Sequence, residues 1–114
     1  MSELRLKRVE SQLRDEIAAL ILRGIIKDPR VHESLIITAV HVSKDTSSAK
    51  VYVSSYSEED LTEGVSGLNH AAGFIQSRIA KVLKTRNTPR LTFVDDHSIR
   101  DGTEIIEKMR NLEH

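Results

Sequence analysis

Between Leu61 and Leu83 apolar residues fall at Leu61, Val65, Leu68, Ala71 or Ala72, Ile75, Ile79, Val82 and Leu83, a helical period sustained for more than twenty residues and interrupted by Gly64, Gly67 and Gly73. A stripe with this spacing runs along one side of an α-helix and obliges that side to be buried against another layer. Each interior glycine costs roughly 1 kcal/mol relative to alanine. The spacing therefore predicts two consecutive helices, with Gly73 as the hinge. Ser57-Glu58-Glu59-Asp60 opens the pair with an N-cap serine and three carboxylates that complement the helix dipole, so this acidic cluster is explained without function. Asn87-Thr88-Pro89 closes it.

The remaining segments supply the layer to be covered. Val9, Leu13, Ile17, Leu20 and Ile21 share one face of a first helix expected over residues 4–24, with Ser2 as a possible cap, Gly24 at its end and Asp28-Pro29 barring continuation. Residues 35–43 and 49–56 are β-branched and read as strands joined by the polar loop 44–48, a length that suits an antiparallel hairpin. Residues 90–95 give a third strand, and 102–112 a short helix through Ile105, Ile106 and Met109. The order helix, strand, strand, helix, helix, strand, helix predicts an α+β domain with helices on one face of a three-stranded sheet. Residues 1–111 read as a single domain, and Leu112-Glu113-His114 as the start of a purification-tag remnant.

Composition narrows the classes. The absence of cysteine excludes disulfides, thiolate metal sites and a cysteine nucleophile. No apolar run reaches the length of a membrane span, and Met1-Ser2-Glu3-Leu4-Arg5 lacks a signal core, so a cytoplasmic protein with no membrane partner is expected. The 17 basic and 17 acidic side chains cancel, but they are not mixed evenly. Residues 57–64 hold four acids and no base, whereas 65–94 hold Arg78, Lys81, Lys84, Arg86 and Arg90 and no acid.

On a helical wheel Leu68, Ala72, Ile75, Ile79, Val82 and Leu83 form one arc, and His70, Ser77, Arg78, Lys81 and Lys84 lie opposite with Phe74 among them. A cationic stripe with one aromatic ring, beside a glycine that lets another backbone approach, suits RNA: charge attracts phosphate and the ring stacks on a base. An ordinary solvated helix face has the same pattern, and a protein-interaction module using a sheet edge or the first helix is the alternative function. Asp95-Asp96-His97 invites a magnesium or acid–base reading, against which stands simple turn chemistry at a strand exit. His32, His41 and His70 lack ligand spacing, and the nucleophile-elbow, phosphate-loop and dinucleotide motifs are missing. No enzyme, metal or cofactor is expected.

The run from Leu83 to Ile105 resembles a family signature, Leu-Lys-x-Arg-x-x-Pro-x-Leu-x-Phe-x-x-Asp-x-Ser-Ile-x-x-Gly-x-x-Ile, at every fixed position: Leu83, Lys84, Arg86, Pro89, Leu91, Phe93, Asp96, Ser98, Ile99, Gly102 and Ile105. Asp28-Pro29-Arg30 and Asp45 with Ala49-Lys50-Val51-Tyr52-Val53-Ser54 also fit, so the resemblance to ribosome-binding factor A covers nearly the whole chain. It implies a type II KH-like fold in which an Ala-x-Gly kink, here Ala71-Ala72-Gly73, replaces the usual Gly-x-x-Gly loop. Arg90 departs from the family's usual glutamate, and the C-terminus is shorter than in some relatives.

The resemblance further implies a non-enzymatic, monomeric assembly factor that binds free 30S ribosomal subunits late in their maturation. It would assist processing at the 5′-terminal helix region of 16S rRNA, support growth in the cold and be released by a ribosome-associated GTPase. On that basis Arg78, Lys81, Lys84 and Arg86 are expected at phosphates, Ala71, Ala72 and Gly73 at a close backbone approach, and Arg5, Lys7, Arg8 and Arg14 as secondary contacts. Asp96, Ser98 and Gly102 are expected to shape the strand exit.

Overall fold

A computed structural model describes residues 3–83 and 88–98. Helix α1 (Glu3–Leu22) is followed by strands β1 (Ile36–Val42) and β2 (Ser48–Ser54), helices α2 (Glu58–His70) and α3 (Ala72–Leu83), and strand β3 (Arg90–Asp95). The expected cap at Ser2 and the expected helix over 102–112 lie outside the described residues. Helix α1 ends as its sequence requires: Gly24 takes φ 65°, its N–H bonds Ile21 O at 3.1 Å, and the Ile25 N–H bonds Leu20 O at 3.1 Å. This is a Schellman cap, which needs the left-handed conformation that glycine adopts without strain.

The sheet order is β1-β2-β3, with β1 and β2 antiparallel and β2 and β3 parallel. In the β1–β2 hairpin loop, Asp45 accepts bonds from the Ser43 and Ser47 hydroxyls, both at 2.7 Å, and from the Ser47 N–H at 3.1 Å. These bonds, that of Ser43 first, pull the Asp45 carboxyl down to about 2. Because the α2–α3 pair separates β2 from β3, the third strand returns in the same direction as the second. Val40, Val42, Ala49, Val51, Val53, Leu91 and Phe93 form the buried face of the sheet, covered by Leu13, Ile17, Leu20 and Ile21 of α1, Leu61 and Leu68 of α2, and Ile75 and Ile79 of α3.

Two glycines of the long apolar stripe are packing devices. A Cβ on Gly64 would lie 2.6 Å from both Leu35 methyl groups, and one on Gly67 would lie 3.0 Å from Arg30 Cβ and 3.1 Å from Val31 Cγ2. Helix α2 therefore presses its backbone directly onto the segment between α1 and β1. Arg30 holds that segment in shape: its guanidinium grips Asp28 at 2.8 and 3.0 Å and reaches Ser66 on α2 at 3.1 Å. The bond from Arg30 holds the Asp28 carboxyl well below the ordinary carboxylate range.

Helix side chains bond backbone groups on both outer edges of the sheet, three on β3 and one on β1. On β3 the Phe93 N–H donates to Asn69 Oδ1 (2.8 Å), Asn69 Nδ2 donates to Phe93 O (3.0 Å), and the Leu91 N–H donates to Gln76 Oε1 (3.0 Å). On β1 the Val42 N–H donates to Glu10 Oε2 at 2.9 Å. A bulge between Ile37 and Ala39 turns Thr38 so that its hydroxyl meets Asp96 Oδ2 at 2.6 Å.

Candidate nucleic-acid interface

The break between α2 and α3 comes where the amphipathic stripe must change direction to stay on the sheet. Ser57 caps α2 as expected, in extended conformation and accepting from the Asp60 N–H at 3.3 Å. The interruption falls at Ala71, with φ −90° and ψ 5°, and not at Gly73. Gly73 lies inside the first turn of α3 without positive φ, and a Cβ there would meet none of the described residues within 4 Å. Glycine at 73 is thus required neither by backbone conformation nor by packing against the described residues.

Beyond the break, Ile75 and Ile79 enter the core, while Arg78 and Lys81 stay exposed on the outer side, as the wheel predicts. Phe74 is 46% exposed, and the Arg78 guanidinium sits 5.9 Å from its ring centroid, within cation–π range. Val82 corrects the wheel: placed in the buried arc by its period, it is 52% exposed. It lies near the end of α3, past the helix's last fully buried position at Ile79. Ala72 and Leu83 are half-buried. Lys84 and Arg86 lie outside the described residues.

Two depressions flank this face. One, of about 390 Å³, is lined by Ile25, Lys27, Asp28, Pro29, His70, Ala71 and Phe74 and puts the break at its wall. The other, of about 260 Å³, is a groove between α1 and α3 that brings Arg78, Lys81 and Val82 together with Glu16, Leu20, Arg23, Ile25 and Ile79. The secondary candidates are elsewhere. Lys7 and Arg8 line a separate hollow with Leu4, Ser11 and Gln12, toward the start of α1. Arg14 is exposed and pairs with Asp15 at 3.6 Å, and Arg5 is exposed on the first turn. The cation that meets α3 across the groove is Arg23, just past the end of α1; no spacing within one helix marks it, because its place depends on how α1 packs beside α3.

The Asp95-Asp96-His97 trio is consumed by structure. Asp96 accepts the Thr38 hydroxyl and the Ser98 N–H (2.9 Å), while its own N–H extends the ladder to Val53 O at 2.7 Å. Those bonds, Thr38 first, lower the Asp96 carboxyl. His97 Nε2 meets Asp95 Oδ2 at 2.7 Å. Among the described residues no three His, Asp or Glu side chains converge as a metal site, and no helix is long and apolar enough to cross a membrane.

Residues 5–109 match the family described as ribosome-binding factor A. The chain belongs to that family. Ribosome-binding factor A of Treponema denticola is 50% identical over 115 residues, covering all of this chain and 87% of the relative. The crystal structure of ribosome-binding factor A from Thermus thermophilus is 31% identical, covers 79% of this chain and 94% of its own, and superposes with a TM-score of 0.67. A homology model of the Thermus thermophilus factor fitted into a cryo-EM map of a 30S complex gives 30% identity, 79% and 93% coverage and a TM-score of 0.63. The α+β, KH-like fold expected for ribosome-binding factor A is therefore the fold of this chain. Its Ala-x-Gly triplet contains the helix break, at the alanine.

Proposed function

We propose that this protein binds free 30S ribosomal subunits through RNA contacts at the outer face of α3 and at the α2–α3 break. In this reading residues 1–111 act as one KH-like RNA-binding unit, cytoplasmic and monomeric, that assists late 30S assembly and processing of the 5′ end of 16S rRNA. It supports growth in the cold by doing so, and a ribosome-associated GTPase releases it. Membership in the ribosome-binding factor A family and the 30S complex of the Thermus thermophilus factor support the partner. The observation that carries the interface is that one short helix presents exposed Arg78 and Lys81 together with a glycine at which a side chain would meet none of the described residues.

Phosphate contacts from Arg78, Lys81, Lys84 and Arg86 hold the RNA, Ala71, Ala72 and Gly73 admit its backbone closely, and the cations at positions 5, 7, 8 and 14 add long-range attraction. The protein supplies no bond-making chemistry; it holds RNA in one conformation. A protein module that adds a strand at β3 finds less support, because Asn69 and Gln76 already occupy the outer edge of that strand.

The deciding experiment is co-sedimentation with free 30S subunits, 50S subunits and joined ribosomes at low and high salt. Selective binding to 30S that weakens with salt is expected, since each phosphate contact releases counterions. Equal binding to all particles, or none, overturns the proposal. Gly73→Ala separates fold from function within it. Thermal stability is expected to stay level or rise by up to about 1 kcal/mol, the helix preference of alanine, while 30S affinity falls several-fold because the new methyl group blocks the approaching backbone.

A further inference from the structure

The groove between α1 and α3 has features that an exposed helix face does not. Three cations, Arg23 just past the end of α1 and Arg78 and Lys81 of α3, share it with a single carboxylate, Glu16. Its lining is otherwise apolar, through Leu20, Ile25, Ile79 and Val82, and Val82 is left half in solvent at a position where the helical period asks for burial. A volume of about 260 Å³ holds a single nucleotide unit and not a docked helix, whose diameter is about 10 Å. Cations beside an apolar surface match the two chemical sides of a nucleotide, a phosphodiester and a weakly polar sugar or base.

We infer that this groove seats one nucleotide of an RNA strand, with Arg23 as a further phosphate contact and Val82 against the sugar or base. The inference rests on the RNA-interface reading above and refines it: the strand continues from the outer face of α3 into the cleft toward the end of α1, and does not run along α1 toward Arg8. Arg78 links the two regions, since its guanidinium lies near Phe74 and its side chain lines the groove. The placement also separates the basic residues of α1 and the turn that follows it. Arg23 takes part, while Arg14, paired with Asp15 and absent from the groove lining, does not.

The test compares Arg23→Glu with Arg14→Glu, two identical charge changes at exposed sites of the same region, by titrating each full-length protein with free 30S subunits at several salt concentrations. Thermal melts confirm folding, and Arg23→Ala provides a milder second variant. Arg23→Glu is expected to weaken binding about tenfold and to reduce the log–log salt slope by about 0.7 to 0.9, the value of one lost phosphate contact. Arg14→Glu is expected to stay within about twofold, the size of a long-range charge effect. Equal effects of the two substitutions overturn the groove. An affinity loss at Arg23 with an unchanged salt slope also overturns it, because the occupant is then a protein segment. Lys81→Glu, run in parallel, keeps the two readings apart: if it weakens binding and Arg23→Glu does not, only the groove fails, and if neither does, the RNA interface fails.

Discussion

Replacing Arg78 and Lys81 together by glutamate is expected to lower affinity for free 30S subunits by about a hundredfold while leaving the melting temperature within a few degrees of the parent. Each reversal removes a phosphate contact and adds repulsion, and tenfold per site corresponds to about 1.4 kcal/mol. Both side chains are exposed on α3, whose core contacts are made by Ile75 and Ile79 on the other side, so folding is little affected. Titration at several salt concentrations checks this, because the loss must be accompanied by a shallower salt dependence. Unchanged binding would move the interface off α3 altogether.

Gly64→Val is expected to have the largest effect on stability, about 2 to 3 kcal/mol, or a fall in melting temperature of roughly 10 to 15 °C. Its Cβ alone would overlap both methyl groups of buried Leu35 at 2.6 Å, and the γ-methyl groups add more bulk. Either Leu35 leaves its place against α2 or the helix lifts from the segment leading into β1. Chemical denaturation measures the loss directly. Set beside Gly73→Ala, the pair separates glycine replacement on consecutive helices, since at position 64 Leu35 fills the space and at position 73 none of the described residues does.

Acid titration addresses the local polar architecture. Asp28, Asp45 and Asp96 all titrate lower in the folded protein than the ordinary 3.8, held by Arg30, by the hairpin hydroxyls and by Thr38 respectively. A carboxylate with a depressed folded value binds protons more readily when unfolded, so the stabilisation it gives is complete above about pH 4 and is lost as pH falls toward 2. Denaturation midpoints followed from pH 6 to 2 are expected to hold steady and then drop. Asp96→Asn is expected to flatten part of that drop.

Much of the fold was legible because periodicity reports burial. The stripe through Leu13, Ile17, Leu20 and Ile21, the alternation in β2 and the serine cap at position 57 each carry their own local signal. The misplacements have a common physical source, in that they depend on partners distant in sequence. Nothing near Gly64 or Gly67 announces that Leu35 and Arg30 will fill the space above them. Asn69 and Gln76 look like solvent-facing polar residues until β3 arrives beside them. Gly73 looked like a hinge because glycine weakens helices, yet the turn closed at Ala71. The basic face of α3 was readable from one helix alone, whereas Arg23 depends on how α1 packs alongside, which no wheel for a single helix contains.

The helix side chains that bond the sheet edges bear on how this protein behaves at high concentration. With equal numbers of acidic and basic side chains, there is no net charge to keep copies apart. An open strand edge in such a molecule would invite a second copy to add its own strand, and then a third. Asn69 and Gln76 occupy three backbone groups at the β3 edge, and Glu10 the Val42 N–H at the β1 edge, through which such growth would begin. The side-chain amides and the one carboxylate at the sheet margins oppose such growth, and a substitution at Asn69 is expected to raise aggregation even where the fold survives.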